Sequence, residues 1–258
     1  MFDRALQFGD GLFETLAVVD GRPCLWQRHM RRLQAGGERL NIQIPSAKTL
    51  WQEALSLIGS RARGVLKLIL TRGDSERGYA APANIVCKRI MYLSDWPSGL
   101  QDKWDAGVRL GFCSTRLGMN PSLAGIKHLN RLEQVLARNE WQDESITEGI
   151  MLDMQDRVVE GTMSNLFIEH DGRLLTPDLS QAGVAGVVRE LVMDTAERLG
   201  QAVTETNISK EQLLQADACY ITNSLLGIRP VTQLEQHTFN ASFMHNKVMK
   251  SAAEQVFE

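Results

Sequence analysis

Cysteine is scarce and scattered. Cys24, Cys87, Cys113 and Cys219 are the only four in 258 residues, and none forms a CxxC pair. Three of them stand in apolar, strand-like runs. This argues against a zinc site and for buried, reduced thiols in a reducing cytosol. No apolar run approaches membrane-spanning length, and no secretory signal opens the chain. Clustered basic residues are also missing. The formal net charge is −3 and Lys and Arg are spread out, which speaks against a nucleic-acid surface. There is no internal repeat and no low-complexity tract. What remains is an ordinary soluble composition, long enough for one large or two modest domains.

Periodicity then predicts the elements. Residues 12–19 and 23–26 read as a hairpin around Asp20-Gly21. Residues 27–40 and 47–58 read as helices. The first turns Met30, Leu33 and Leu40 to one face. The second turns Leu50, Ala54, Leu57 and Ile58 inward, with Ser46 as its N-cap. Residues 64–71 and 85–93 are β-rich, with a loop from Arg72 to Tyr79 between them. This half reads as a sheet with helices beside it rather than as alternating βαβ units. A domain junction falls between positions 95 and 120. Residues 108–114 read as a strand, and residues 128–141 as an amphipathic helix with Leu129, Leu132, Val135 and Leu136 as its stripe. Short strands follow at 149–152, 158–160, 165–169 and 173–175. A helix over 184–199, a strand over 218–222 and a helix over 242–256 complete the chain.

Two side chains stand out for chemistry. Lys127 lies in a Gly-containing turn directly ahead of the expected 128–141 helix. A helix N-terminus carries partial positive charge, which favours a neutral, nucleophilic amine. Glu160 ends an expected strand within Val159-Glu160-Gly161-Thr162-Met163-Ser164-Asn165. Taken singly, the first also reads as a surface lysine and the second as an exposed strand-end acid.

The segment Arg116–Arg138, containing AGIKHLNRLEQ, together with GDGLFET near the start and the GTMSNLF run, resembles the fold-type IV pyridoxal phosphate enzymes. That family takes in aminodeoxychorismate lyases, D-amino acid aminotransferases and branched-chain aminotransferases, and the lysine segment is most similar to the bacterial lyases. The resemblance runs from Asp3 to the last helix. It implies an α+β fold of two domains: a small N-terminal α/β sandwich over residues 1–105, and a larger C-terminal domain over 106–258, barrel-like and flanked by helices. It implies pyridoxal 5′-phosphate as cofactor, no metal, a cytoplasmic homodimer, and no nucleic-acid or membrane partner.

By the same resemblance Lys127 is the lysine that holds the cofactor as an imine, and Glu160 is the acid that faces the pyridine nitrogen. A carboxylate there favours the protonated ring, which can accept electrons. Arg32 matches the phosphate-binding arginine, with Arg31 beside it as a confounder. Gly186, Val187 and Val188 open a helix whose N–H groups can meet an anion. Relatives carry threonine where Val188 stands, so backbone alone would serve here. Asn223 and Ser224 match a second phosphate loop, Ser224 through its hydroxyl and Asn223 mainly through backbone. Arg72 and Arg77 are candidates for substrate carboxylates. His128 is expected to be structural, and Asp10 and Glu14 are given no chemistry.

The implied reaction is conversion of 4-amino-4-deoxychorismate to 4-aminobenzoate and pyruvate in folate synthesis. The alternatives are a D-amino acid or branched-chain aminotransferase on the same fold, and a non-catalytic binding protein. Relatives have a further stretch ahead of the part matching Asp3-Arg4-Ala5, which forms the first strand of the small domain. Either the natural start lies upstream or this member lacks that strand, and its loss would expose a sheet edge.

Overall fold

The structure is a computed structural model, and it describes residues 2–97, 107–239 and 246–258. The chain divides into two units. One gathers residues 1–96, Ile126–Arg131 and Phe257–Glu258; the other holds residues 97–125 and 132–256.

In the first unit, α1 (Arg4–Phe8) is capped by Asp3, whose carboxylate accepts from the Ala5 N–H. Strand β1 (Gly11–Val19) buries Leu12, Glu14, Leu16 and Val18 on alternate positions. It turns through Asp20 and Gly21, both at positive φ, into the short β2 (Arg22–Pro23). Two positive-φ residues make a turn whose twist suits a hairpin. The expected second hairpin strand stops at Pro23, because Trp26 is buried and opens α2 (Trp26–Leu40). Helix α3 (Ala47–Ile58) begins at Ser46, whose hydroxyl accepts from the Thr49 N–H. Strands β3 (Gly64–Thr71) and β4 (Lys88–Ser94) complete an antiparallel sheet of order β2-β1-β3-β4. The expected start of β4 at 85 is three residues early. Trp26, Met30 and Leu33 of α2 and Leu50, Ala54 and Ile58 of α3 join Leu12, Leu16, Leu66, Leu68 and Leu70 in one core. Leu57, expected inward, is 42% exposed. It lies off the stripe that Leu50, Ala54 and Ile58 form at i, i+4 and i+8.

Strand β2 pairs only with Val18 and Val19, so the beginning of β1 keeps an open edge. Residues 127–129 occupy it. Leu12 pairs with His128, the Phe13 N–H donates to the Lys127 carbonyl, and the Leu129 N–H donates to the Gly11 carbonyl. Extended backbone here displaces the expected helix start.

The second unit is built on a sheet of order β10-β9-β8-β12-β13-β5-β6-β7-β11, with β14 beside β13, curled into a nearly closed barrel. Its strands are β5 (Val108–Leu117), β6 (Glu148–Asp153), β7 (Arg157–Gly161), β8 (Asn165–His170), β9 (Arg173–Pro177), β10 (Val203–Thr206), β11 (Ile208–Ser209), β12 (Ala218–Asn223), β13 (Gly227–Leu234) and β14 (His237–Thr238). The β5–β6, β5–β13 and β9–β10 pairs are parallel. Every residue of β6 is buried, as a strand covered on both faces must be.

The helices of this unit are α4 (Leu132–Arg138), α5 (Val187–Arg198), α6 (Lys210–Leu214) and α7 (Lys247–Gln255). Helix α4 corrects the 128–141 expectation. It has two turns, and Leu132, Val135 and Leu136 are exposed rather than buried. Helix α5 starts at 187 rather than 184, because the Val184 and Ala185 backbones are spent on pairing with Gly125. The start expected for the last helix, Ser242, lies outside the described residues.

Candidate active site

The first unit places a buried charged cluster at β1 and α2. Glu14 is fully buried at an inward position of the strand. Its Oε1 accepts from Arg32 Nε at 2.9 Å, its Oε2 accepts from Arg32 Nη2, and its Oε2 also meets His29 Nδ1 at 2.6 Å. Burial by itself would raise the Glu14 carboxyl. The Arg32 charge and the hydrogen bonds from Arg32 and His29 outweigh it and bring the group down to about 2. Burial also lowers His29, and Arg32 and Lys127 reinforce this against the opposing pull of Glu14. His29 is thus neutral at pH 7, and Arg32 is the permanent counter-ion. The paired contact fixes the plane of the Arg32 guanidinium, which is what a planar phosphate-binding fork requires.

Lys127 is half-buried, and its Nζ lies 4.5 Å from the centroid of the Phe13 ring. Five residues separate it from the first residue of α4, so a helix N-terminus does not act on it as expected. Its position comes instead from the β1 edge and from Arg131, whose guanidinium donates to the Ile126 and His128 carbonyls. His128 has the structural role expected. Its Nδ1 accepts from the Asn130 N–H, and burial lowers its imidazole to about 4.

Arg72 is committed to the fold. Its Nε donates to Asp10, its Nη1 to the Asn41 carbonyl and its Nη2 to the Leu40 carbonyl, each at 2.7–2.8 Å. It ties the end of β3 to the end of α2. Arg77 is exposed on the loop. Arg4 holds that loop by donating to Ser75 Oγ and to the Gly78 and Tyr79 carbonyls. An open cleft of about 710 Å³ beside Trp26, Trp51 and Lys48 carries none of the expected site residues.

The second unit brings Glu160, Gly186, Val187, Val188, Asn223 and Ser224 into one connected arrangement. Glu160 is buried near the end of β7, and its Oε2 accepts from the Val184 N–H at 2.8 Å. The Val184 carbonyl accepts from Asn165 Nδ2 at 2.8 Å. Asn165 opens β8 and pairs with Thr222 of β12, one residue before Asn223. Gly186 precedes α5, and no side chain caps that helix. A Cβ on Gly186 would lie 1.9 Å from Asn165 Oδ1, so only glycine fits. Val187 and Val188 are buried side chains and can offer an anion only their N–H groups. Asn223 uses its side chain within the turn, accepting from the Leu225 and Leu226 N–H groups and donating to the Met163 carbonyl.

The residue types fit a phosphorylated pyridine aldehyde: a primary amine for the aldehyde, a fixed buried carboxylate for the ring nitrogen, and an uncapped helix start, a hydroxyl and an oriented guanidinium for the phosphate. Sequence reading missed Glu14, His29 and Glu148 as an organising set. The signal for Glu14 was its place among inward Leu12, Leu16 and Val18. The signal for His29 was its place on the Trp26, Met30 and Leu33 face.

Residues 11–234 match the family described as amino-transferase class IV. The fold is that of this class, and the chain belongs to the amino-transferase class IV family. It is 36% identical to an aminodeoxychorismate lyase of Vibrio harveyi over 231 residues, which is 89% of this chain and 85% of that one. It is 30% identical to a putative branched-chain-amino-acid aminotransferase of Methanocaldococcus jannaschii, covering 93% of this chain and 84% of that one. A solved 4-amino-4-deoxychorismate lyase of Pseudomonas aeruginosa is 44% identical, with a TM-score of 0.93, covering 100% of this chain and 95% of that one.

Proposed function

We propose that this protein is a pyridoxal phosphate-dependent lyase that forms 4-aminobenzoate and pyruvate from 4-amino-4-deoxychorismate, a step that serves folate synthesis. The observation that carries this reading is the 44% identity to the Pseudomonas lyase along the whole chain. When bound, pyridoxal phosphate supplies an aldehyde that joins to an amine and a ring that draws electrons from the carbon bearing that amine.

The chain's own residues do the rest. Lys127 would hold the aldehyde through Nζ until the substrate amine takes its place, and the freed amine would then take the proton from the substrate carbon that bears nitrogen. It returns a proton to the departing enolpyruvyl group. Glu160 holds a proton at the ring nitrogen, and the Val184 N–H keeps its carboxylate in place. The assignment of Lys127 and Glu160 to one cofactor rests on the similarity to the Pseudomonas lyase. Arg32, the Val187 and Val188 N–H groups and the Asn223–Ser224 turn bind phosphate. Arg77 takes a substrate carboxylate.

The homodimer expectation is kept as part of this proposal. Leu132, Val135 and Leu136 of α4, exposed at 76%, 51% and 60%, form an i, i+3, i+4 face suited to a second copy. Light scattering that gives a monomer at assay concentration would remove that part. A cytoplasmic location accords with the described helices, none of which is long and apolar enough to cross a membrane.

The test is to supply aminodeoxychorismate and follow 4-aminobenzoate fluorescence for wild type and Lys127→Ala. Product from wild type alone is expected; equal product from both would refute the mechanism. The similarity to an aminotransferase favours transamination as the second reading. Conversion of D-alanine and 2-oxoglutarate, with no 4-aminobenzoate formed, would select it.

A further inference from the structure

The proposed lyase mechanism leaves the buried Glu148 carboxylate unused. Glu148, at the start of β6, is 0% exposed. Its Oε1 accepts from the Gly149 N–H at 2.9 Å, the Thr162 N–H at 3.0 Å and Thr162 Oγ1 at 2.5 Å. Its Oε2 accepts from the Met163 N–H at 3.1 Å and Ser164 Oγ at 2.9 Å. Four of these five bonds fall on residues 162–164, the turn that leaves β7 directly after Glu160. Gly161 makes room for the carboxylate, since a Cβ there would lie 2.9 Å from Glu148 Cδ and 2.2 Å from Ser164 Oγ. The same turn is gripped from the other side. Asn223 Nδ2 donates to the Met163 carbonyl at 3.1 Å, while Asn223 Oδ1 shapes the turn that contains Ser224.

We propose that Glu148 is a positioning residue for the cofactor: by clamping residues 162–164 it sets both the Glu160 carboxylate and the Asn223–Ser224 phosphate turn. It touches neither the ring nor the phosphate. The inference rests on the cofactor reading given above. Burial raises the Glu148 carboxyl, but all five of these hydrogen bonds come from donors and favour the ionised form, and a charged acceptor binds N–H and O–H groups about twice as strongly as a neutral one. Glutamine in its place turns an NH₂ toward at least one backbone N–H that cannot accept. Every one of these bonds lies within the second unit, so the effect does not depend on the placement of the first.

A second clamp provides the control. Asp153, at the opposite end of β6, accepts from the Gln155 N–H and from Arg157 N and Nε, closing the other end of the β6–β7 pair. A purely structural carboxylate would behave as Asp153 does. The experiment titrates apoprotein with pyridoxal phosphate, reads the dissociation constant from the imine absorbance band, and records the melting of each apoprotein. Glu148→Gln is expected to weaken cofactor binding about tenfold or more, while Asp153→Asn leaves it within about twofold despite a comparable loss of apoprotein stability. Equal weakening by both variants, or a Glu148→Gln constant within twofold of wild type, overturns the proposal. If Glu148→Gln does not fold, Thr162→Val removes a single hydroxyl donor and is expected to weaken binding about threefold; no change there overturns it equally. Wild-type protein that never develops the imine band refutes the cofactor reading itself, and the inference with it.

Discussion

Replacing Glu14 with Gln tests the buried cluster most directly. In wild type the Glu14 carboxylate is fully buried against Arg32 and His29. Its pKa falls from the ordinary 4.5 to about 2, which at about 1.4 kcal/mol per pH unit corresponds to about 3 kcal/mol of stability. Glutamine leaves the Arg32 guanidinium buried without its counter-ion, a loss of about 3–5 kcal/mol for comparable pairs. The two routes agree to within a few kcal/mol. For a chain of this size about 3 kcal/mol lowers the melting temperature by roughly 6–12 °C. The sign of the pH dependence follows from the depressed pKa. The stabilisation is complete above pH 4.5, where the unfolded chain is also ionised, and is lost as pH falls from 4.5 toward about 2. Thermal melts followed by circular dichroism, from pH 7 down to pH 2.5, measure both effects. The gap between wild type and Glu14→Gln should close across that acid range. A gap below 2 °C at pH 7, or one that stays constant down to pH 2.5, would refute the assignment of Glu14 as a buried anion.

Three further outcomes follow from the same geometry. Gly186→Ala places a methyl against Asn165 Oδ1 and should break the Asn165–Val184 bond, at a cost of about 1–3 kcal/mol in stability; a melt and a pyridoxal phosphate titration both unchanged would show that the approach is not needed. His128, lowered to about 4, is neutral throughout the working range. His128→Asn should therefore preserve the shape of the kcat profile from pH 6 to 9, whereas loss of an ionisation near neutrality would mark the imidazole as a proton carrier. Arg77→Ala should raise KM about tenfold through a lost charged hydrogen bond, with the melting temperature unmoved. Arg72→Ala should lower the melting temperature first, and the opposite pattern in steady-state kinetics and melts would restore Arg72 as the substrate contact.

Much of the local structure was legible in residue order. The Ser46 cap, the 47–58 helix, the 64–71 strand and the Asp20-Gly21 turn each depend on interactions within a few residues, and such signals survive in sequence. Helix α4 shows the limit. Its periodic leucines and valine suggested a buried stripe from 128 to 141. Residues 127–129 instead extend along the open edge of β1, and Leu132, Val135 and Leu136 face outward. Arg72 shows the same limit for a side chain. A lone arginine in a loop gives no sign that its three nitrogens will meet Asp10 and two carbonyls at the end of α2.

Residue order alone thus determined the amine at 127, the acid at 160, the glycine at 186 and most helices and strands, because periodicity, caps and turns are short-range. Only the tertiary structure decided that Lys127 is held by a strand edge rather than a helix, that Glu14 fixes Arg32, and that Glu148 clamps the turn after Glu160. Those contacts join positions 14 to 118 residues apart, and nothing in the intervening chain encodes which buried charge will find which partner until the sheets have closed around them.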